Sequence, residues 1–369
     1  MSETKTITKK SEILFFYETT YNTPNGDPFT GEQRIDEETR KILVSDVRIK
    51  RFIRTYLEET KGLSIYVTDK SSAGKTDSKG VLTAIAKGEN RNPDRLTDIG
   101  EILKTQIDVR LFGGISTLAD KAKDIKIKNT EGKEIACTNG HVQFTGPVQF
   151  ALLNPSLNEV NLRMHQNTTH FTSKEDKTQG SIGTTSVVPY SLMQIHGWIN
   201  PKVAEKTGMS EPDLILMYEG LWYGTSGEGT SHSRTKVGQD SLLLLEIVYK
   251  ESNQKIYGVD RLVKIKKKDG KKGEQLRSMD DFDFDFSKLF EEVKKDKVEC
   301  VNYYTELDCI KEALTGKKVK PEKNDEDSSS GDEQNNKAQT EIKEQHEKWR
   351  KKFKIMSFKS NNTKENEKK

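Results

Sequence analysis

Residues 45–57 hold the pattern that most constrains how this chain folds. Ile49, Phe52, Ile53, Tyr56 and Leu57 recur at i, i+3, i+4, i+7 and i+8, which lines them along one helix face that a core must cover. Ser45 stands where an N-cap is needed, and Asp46 falls in the first turn, where the helix dipole favours a negative charge. A second helix starts at Ser210. Asp213 lies three residues on, as in a variant capping box, and Pro212 is tolerated in the first turn. Its buried stripe is Leu214, Met217, Tyr218, Leu221 and Trp222. Short apolar runs at 13–17, 141–152 (around Gly146-Pro147), 190–199 and 242–249 read as strands, the last preceded by a turn at 238–240. The order is strand, helix, strand, strand, helix, strand. That order predicts an α+β fold with a βαββαβ, ferredoxin-like unit, the arrangement that RRM domains use to read RNA on a sheet face.

Long polar stretches interrupt this unit. Residues 61–139 carry scattered Gly and Lys and one helix, 96–111, and read as an insertion. Residues 154–187 are poor in large apolar side chains and too long for an ordinary loop, which marks a functional or mobile segment. Residues 317–369 are low-complexity and expected to be disordered, with a basic helix expected over 341–358. That tail carries 15 Lys and Arg against 11 Asp and Glu, so its +4 exceeds the +3 of the whole chain. Net charge is therefore no argument for nucleic-acid binding, and any phosphate-holding face must come from local clusters. Three cysteines, none in a C-x-x-C pair, are too few for a disulfide scaffold. No apolar run is long enough for a signal peptide or a membrane span, so a cytoplasmic protein is expected.

Three clusters suit phosphates or bases. Arg48, Arg51 and Arg54, with Lys50 at the flank, lie opposite the apolar stripe of the first helix, with nothing acidic between 48 and 57. Such charges commonly form a solvated face, but four unpaired cations on one rigid element also make a phosphate track. The Gly/Ser/Thr-rich segment 223–238 carries His232, Arg234 and Lys236, and is either a flexible loop or a cradle of backbone N–H groups and hydroxyls. Segment 154–187 holds Arg163, Met164, His165, His170, Phe171 and Lys174. A long hairpin of this kind can stack on or wedge between bases. The spacing of His165 and His170 fits no common metal signature, and no metal or cofactor is expected. Ser72 to Thr76 ends like a P-loop, but Asp69 replaces the first glycine. Asp27 and Asp36 follow the first strand, and turn chemistry accounts for Asp27. No Ser-His-Asp or Cys-His set stands out.

Six strings occur together and in order. They are Tyr21-Asn22-Thr23-Pro24-Asn25-Gly26-Asp27-Pro28 with Arg34-Ile35-Asp36; Val44 to Arg54; Asp108-Val109-Arg110-Leu111-Phe112-Gly113-Gly114; Thr145 to Phe150; Val187 to Leu192; and His196 to Pro201. Together they resemble the backbone subunits of CRISPR surveillance complexes (Cas family seven, RAMP superfamily), and within them the type I-B branch of Cascade. The resemblance implies a right-hand shape: an RRM-like palm (residues 11–60, 140–153 and 188–316), fingers (61–139) and a thumb hairpin (154–187). It also implies several copies on one CRISPR guide RNA, contacts to other Cascade subunits, and target DNA reached through the guide. Asn25, Arg34, Arg48, Lys50, Arg51, Arg54, Arg163, Met164, His165, Phe171, His232, Arg234 and Lys236 are the expected RNA contacts. The expected role is binding and not catalysis. Metal-dependent cleavage of target RNA by Asp27 or Asp36, as in type III relatives, is the competing reading, and a stand-alone RRM-like binder is a third. One departure stands out. Relatives often have Thr-Gly after the R-x-D string, where this chain has Thr39-Arg40, which alters that turn.

Overall fold

The strand at the start of the chain runs further than its apolar run, because the polar residues Ser11, Glu12 and Thr19 also find buried partners. The computed structural model describes residues 5–68, 78–89, 96–117, 126–128, 134–136, 141–168, 182–226, 235–316 and 350–358. In chain order the first elements are β1 (Ser11–Asn22), β2 (Ile35–Asp36), β3 (Lys41–Ser45), α1 (Asp46–Glu59), α2 (Ser78–Glu89), α3 (Leu96–Thr105) and α4 (Ile107–Phe112). Then come β4 (Gly113–Thr117), β5 (Lys126–Lys128), β6 (Glu134–Ala136), β7 (His141–Thr145), β8 (Val148–Phe150), β9 (Leu153–Glu159), β10 (Arg163–Thr168) and β11 (Ile182–Ile199). The last are α5 (Pro201–Thr207), α6 (Glu211–Thr225), β12 (Gln239–Tyr249), β13 (Lys264–Lys267), β14 (Phe282–Asp285), α7 (Ser287–Lys294), β15 (Val298–Tyr304), α8 (Asp308–Thr315) and β16 (Phe353–Ile355). The fold is α+β, built in two compact units: residues 1–9, 46–150 and 197–232, and residues 10–45, 151–196 and 233–369.

The second unit carries the sheet, in the order β16-β15-β12-β1-β11-β9-β3-β2, with β10 also paired to β11. Leu14, Phe16, Tyr190, Leu192, Leu243, Leu245 and Ile247 fill its core together with Phe282, Phe286 and Leu289 from the C-terminal elements. Strand β9 departs from the sequence expectation, which placed it within a polar hairpin. Its buried positions are Asn154, Ser156 and Asn158, while Leu153 faces outward. Polar side chains can face inward here because they take backbone bonds. Asn154 accepts from His196 N and donates to Val44 O, and Ser156 Oγ accepts from Ile42 N. Asn158 accepts from Leu192 N at 2.8 Å and donates to Gly273 O at 3.2 Å. Replacing Asn158 with Leu strands those groups in the core. We expect a loss of about 3 kcal/mol, read as a lower denaturant midpoint with an unchanged slope.

At the other edge, the tail departs from expectation as well. Within the span read as a basic helix, 353–355 form β16, a parallel strand on β15 pairing Val301 with Phe353 and Tyr303 with Ile355. Phe353 meets Phe290 edge-on, Phe358 lies 4.1 Å from Tyr304 ring to ring, and Lys352 caps carbonyls of Val293 and Lys295. Aromatic anchors at 353 and 358 outweigh the helical tendency of the basic residues around them.

In the first unit, α1 and α6 pack closely through two glycines. A Cβ at Gly220 would lie 3.2 Å from Ile53 Cα, and one at Gly224 would lie 2.5 Å from Phe52 O. The expected stripe Ile49, Phe52, Ile53, Tyr56 and Leu57 is buried. The capping box of α6 is present: Asp213 accepts from Ser210 N at 2.9 Å and Ser210 Oγ accepts from Asp213 N. The insertion has a small core of its own, made of Tyr66, Leu82, Ala86, Ile99, Ile102, Leu103 and Val109. It holds the unforeseen helix α2, and the single helix expected over 96–111 is split at Gln106 (φ −86°, ψ 123°). Arg110 explains the split, because its guanidinium reaches back to the last carbonyls of α3, Lys104 O and Thr105 O.

Candidate nucleic-acid interface

Three segments far apart in sequence are knitted together within the second unit. Strand β1 ends in Asn22, whose amide donates to Val237 O and Gly238 O. The next residue, Thr23, donates through Oγ1 to Ser186 O at 2.6 Å and through its backbone N–H to Thr235 O. Lys236 returns the contact, its ammonium donating to Thr23 O. Gln33 N donates to Ser186 Oγ, so the far side of the same loop is held to the same strand residue. Loop 22–34, the base of the β10–β11 hairpin and segment 235–238 thus form one junction. Asn22 and Thr23 stand in the first of the six strings, whereas Gln33 and Ser186, which complete the junction, carry no periodicity or motif that would have singled them out in the sequence.

Around this junction the expected contacts divide. Asn25 is buried, and its side-chain oxygen accepts from Ser45 N at 2.7 Å. It therefore braces the loop. Arg34 is half-buried and pairs with Asp27 at 3.3 Å. On the hairpin, β10 runs antiparallel to β11, with Arg163 opposite Val187 and His165 opposite Thr185. Successive strand residues face opposite ways, so Arg163 and His165 share one face and Met164 takes the other, 60% exposed. Phe171, His170 and Lys174, and His232 and Arg234, lie outside the described residues.

The turn after Asp36 supplies a cation that sequence reasoning noted only as a departure. Arg40 has φ +57°, a left-handed conformation that a glycine adopts without penalty and an L-residue at a cost of about 1 kcal/mol. Its guanidinium donates to Asn161 Oδ1 at 2.9 Å, and its carbonyl accepts from Val160 N, so the turn lies against the lead-in to β10. Asp27 and Asp36 are turn residues in this geometry. Asp27 accepts from Phe29 N and Thr30 N and from Arg34, and Asp36 accepts from Thr39 Oγ1 and from Glu38 N. The Phe29 N–H foremost for Asp27, and the Thr39 hydroxyl foremost for Asp36, hold both carboxyls below the usual aspartate range. No group of three or more potential metal ligands occurs among the described residues.

The cations of α1, in the first unit, need a correction. They are not four unpaired charges. Lys50 pairs with Asp46 one turn back at 3.0 Å, and Arg54 pairs with Asp108 at 3.0 Å. Arg48 lies over the ring of Phe52, 4.1 Å from its centre, and Arg51 is half-buried. Asp108 is wholly buried and also accepts from Tyr66 N and Val67 N. Two residues on, Arg110 grips the α6 cap residue Asp213 with two bonds of 3.0 and 2.7 Å. The Asp-Val-Arg string is thus architecture: one end ties α1 to residues 66–67 and the other ties α4 to α6.

The family model of CRISPR-associated protein Cas7 matches residues 9–287. A CRISPR-associated protein Cas7 of Haloferax volcanii is 30% identical over 298 residues, which span 79% of this chain and 84% of that protein. Among solved structures, a chain of a CRISPR RNA-guided surveillance complex in a pre-nicking state is 15% identical, with 81% of this chain and 92% of that one aligned at a TM-score of 0.46. A second CRISPR RNA-guided surveillance complex chain is 13% identical, covering 81% and 89%, at 0.44. No helix among the described residues is long and apolar enough to cross a membrane.

Proposed function

The chain belongs to the Cas7 family of CRISPR-associated proteins, and from that premise we propose that it is a non-catalytic RNA-binding backbone subunit of a type I-B Cascade. Several copies line one guide RNA, and the guide pairs with target DNA while the protein holds its geometry. The junction of loop 22–34, the hairpin base and segment 235–238 carries this reading. Arg34 and Lys236 lie in the joined segments, Arg40 is bonded to Asn161 two residues before Arg163, and Met164 on the hairpin is exposed. Cations can hold phosphates there while the exposed Met164 meets a base. The central strand order β12-β1-β11-β9 supports a ferredoxin-like palm, with 61–139 as fingers and the β10–β11 hairpin as thumb. On α1, Arg48 and Arg51 stay in the proposed RNA track, and Arg54 leaves it for the Asp108 clamp.

The test is RNA binding across salt concentrations. Each phosphate contact on a single strand contributes about 0.7 to the slope of log affinity against log salt. The Arg34→Ala, Arg40→Ala, Arg163→Ala triple variant is expected to lower that slope by about 2 and to weaken binding of all sequences alike. An unchanged slope would remove the junction from the interface. Cleavage of a complementary RNA with added magnesium, lost on Asp36→Ala, would favour the type III-like reading.

A further inference from the structure

Tyr21 stands where the backbone favours a glycine. Among the described residues three that are not glycine have a left-handed backbone, and two of them, Arg40 and Asp269, lie in turns. Tyr21, at φ +47°, lies inside a strand, β1. A bulky L-residue takes that conformation only against a steric cost, and keeps it only where its neighbours fix it. Here they do. Thr20 N donates to Gly238 O at 2.8 Å and Thr23 N donates to Thr235 O at 2.9 Å, on either side of Tyr21. Between these bonds Asn22 is buried, accepts from Thr19 Oγ1, and donates to Val237 O at 2.9 Å and Gly238 O at 3.0 Å.

The left-handed corner re-aims the ring. Tyr17 and Thr19 are wholly buried, and the alternation of a strand would send Tyr21 the same way. Instead Asn22 turns inward and Tyr21 is 60% exposed. Packing does not account for an exposed ring in a conformation that glycine or asparagine adopts more easily. A ring held outward in one position has already lost the freedom that binding would otherwise cost. Its surroundings tell what it meets. Opposite residues 21 and 22, between the same two bonds, stand Val237 and Lys236. Val237 is exposed, and the Lys236 ammonium is held at Thr23 O. The acids Glu18 and Asp240 face each other three positions back along the ladder, beyond the Thr20 bond. An aromatic face with an aliphatic side chain and a cation across from it suits a base and the phosphate next to it.

We propose that Tyr21 is a stacking platform that holds one nucleobase of the bound single strand against its ring. This rests on the RNA-binding reading above and adds an aromatic base contact to it. The experiment uses the full chain, freed of nucleic acid at high salt, and single-stranded RNAs that carry a fluorescent purine at successive positions. The parent and Tyr21→Phe should quench the purine at one or more of those positions. Tyr21→Leu and Tyr21→Asn should lose that quenching and bind about tenfold more weakly, the effect of one lost base stack. Their salt dependence should keep the parental slope, since no phosphate contact is removed. Tyr21→Asn should melt no lower than the parent, because asparagine tolerates the left-handed corner. Parental affinity and quenching in Tyr21→Leu would overturn the proposal and leave the ring to a protein partner. A reduced salt slope would also overturn it, by making Tyr21 part of a phosphate site, as would a Tyr21→Asn protein that melts well below the parent. Failure of the parent to bind any of the RNAs would instead refute the RNA-binding reading itself.

Discussion

Gly146→Ala is expected to cost at least about 3 kcal/mol and to leave much of the chain unfolded at 37 °C, although it adds one methyl group. Gly146 and Gly113 sit where the start of β4 crosses the end of β7. A Cβ at Gly146 would overlap the carbonyl carbon of Phe112 and approach Gly113 N to 2.5 Å. A Cβ at Gly113, which has φ +79°, would approach Gly146 N to 2.6 Å. All the obstructing atoms are backbone, so nothing can rotate away. Gly197→Ala makes a useful comparison. Its Cβ would be 2.8 Å from Phe150 Cδ1, the ring of a side chain that can shift, and its cost should be smaller. Equilibrium unfolding of the three proteins checks the ordering. A Gly146→Ala protein within about 1 kcal/mol of the parent would contradict the close crossing.

Asp108→Ala should cost about 3–5 kcal/mol, because it removes one partner of a buried ion pair and strands three donors: Arg54 Nε, Tyr66 N and Val67 N. Arg54→Met should lose less, since its side chain retains some solvent access and the methionine keeps contact with Phe112, whose ring lies 5.2 Å from the guanidinium. The double variant should recover part of the sum, as expected for two residues acting on each other. RNA affinity of the folded Arg54→Met protein separates structure from function. Parental affinity fits the clamp, and a loss as large as that of the Arg34, Arg40, Arg163 triple would return Arg54 to the RNA track.

What could be read beforehand was local. The α1 stripe and the Ser210–Asp213 cap depend on residues three or four apart, and both are present. Residue pairs joined over long separations left no such trace. Arg54 looks uncompensated in sequence because its partner stands 54 positions on, at Asp108. Strand β9 was hidden for a different reason. Its inward face is Asn, Ser and Asn, so the alternation that marks a strand is inverted, and only the carbonyls and amides it serves explain why. At β16, Phe353 and Phe358 lie in a strongly basic stretch whose charge obscures two aromatic anchors. Asn25 shows the same limit from the other side. Its place in a signature string suggested a contact, and the geometry gives it a loop to brace.

The most direct measurement is to purify the full chain from cells with and without a CRISPR array, determine its mass, and sequence any nucleic acid it carries. A multimer holding nuclease-protected CRISPR RNA, formed only when the array is present, is the predicted result. An RNA-free monomer in the presence of the array would contradict the account.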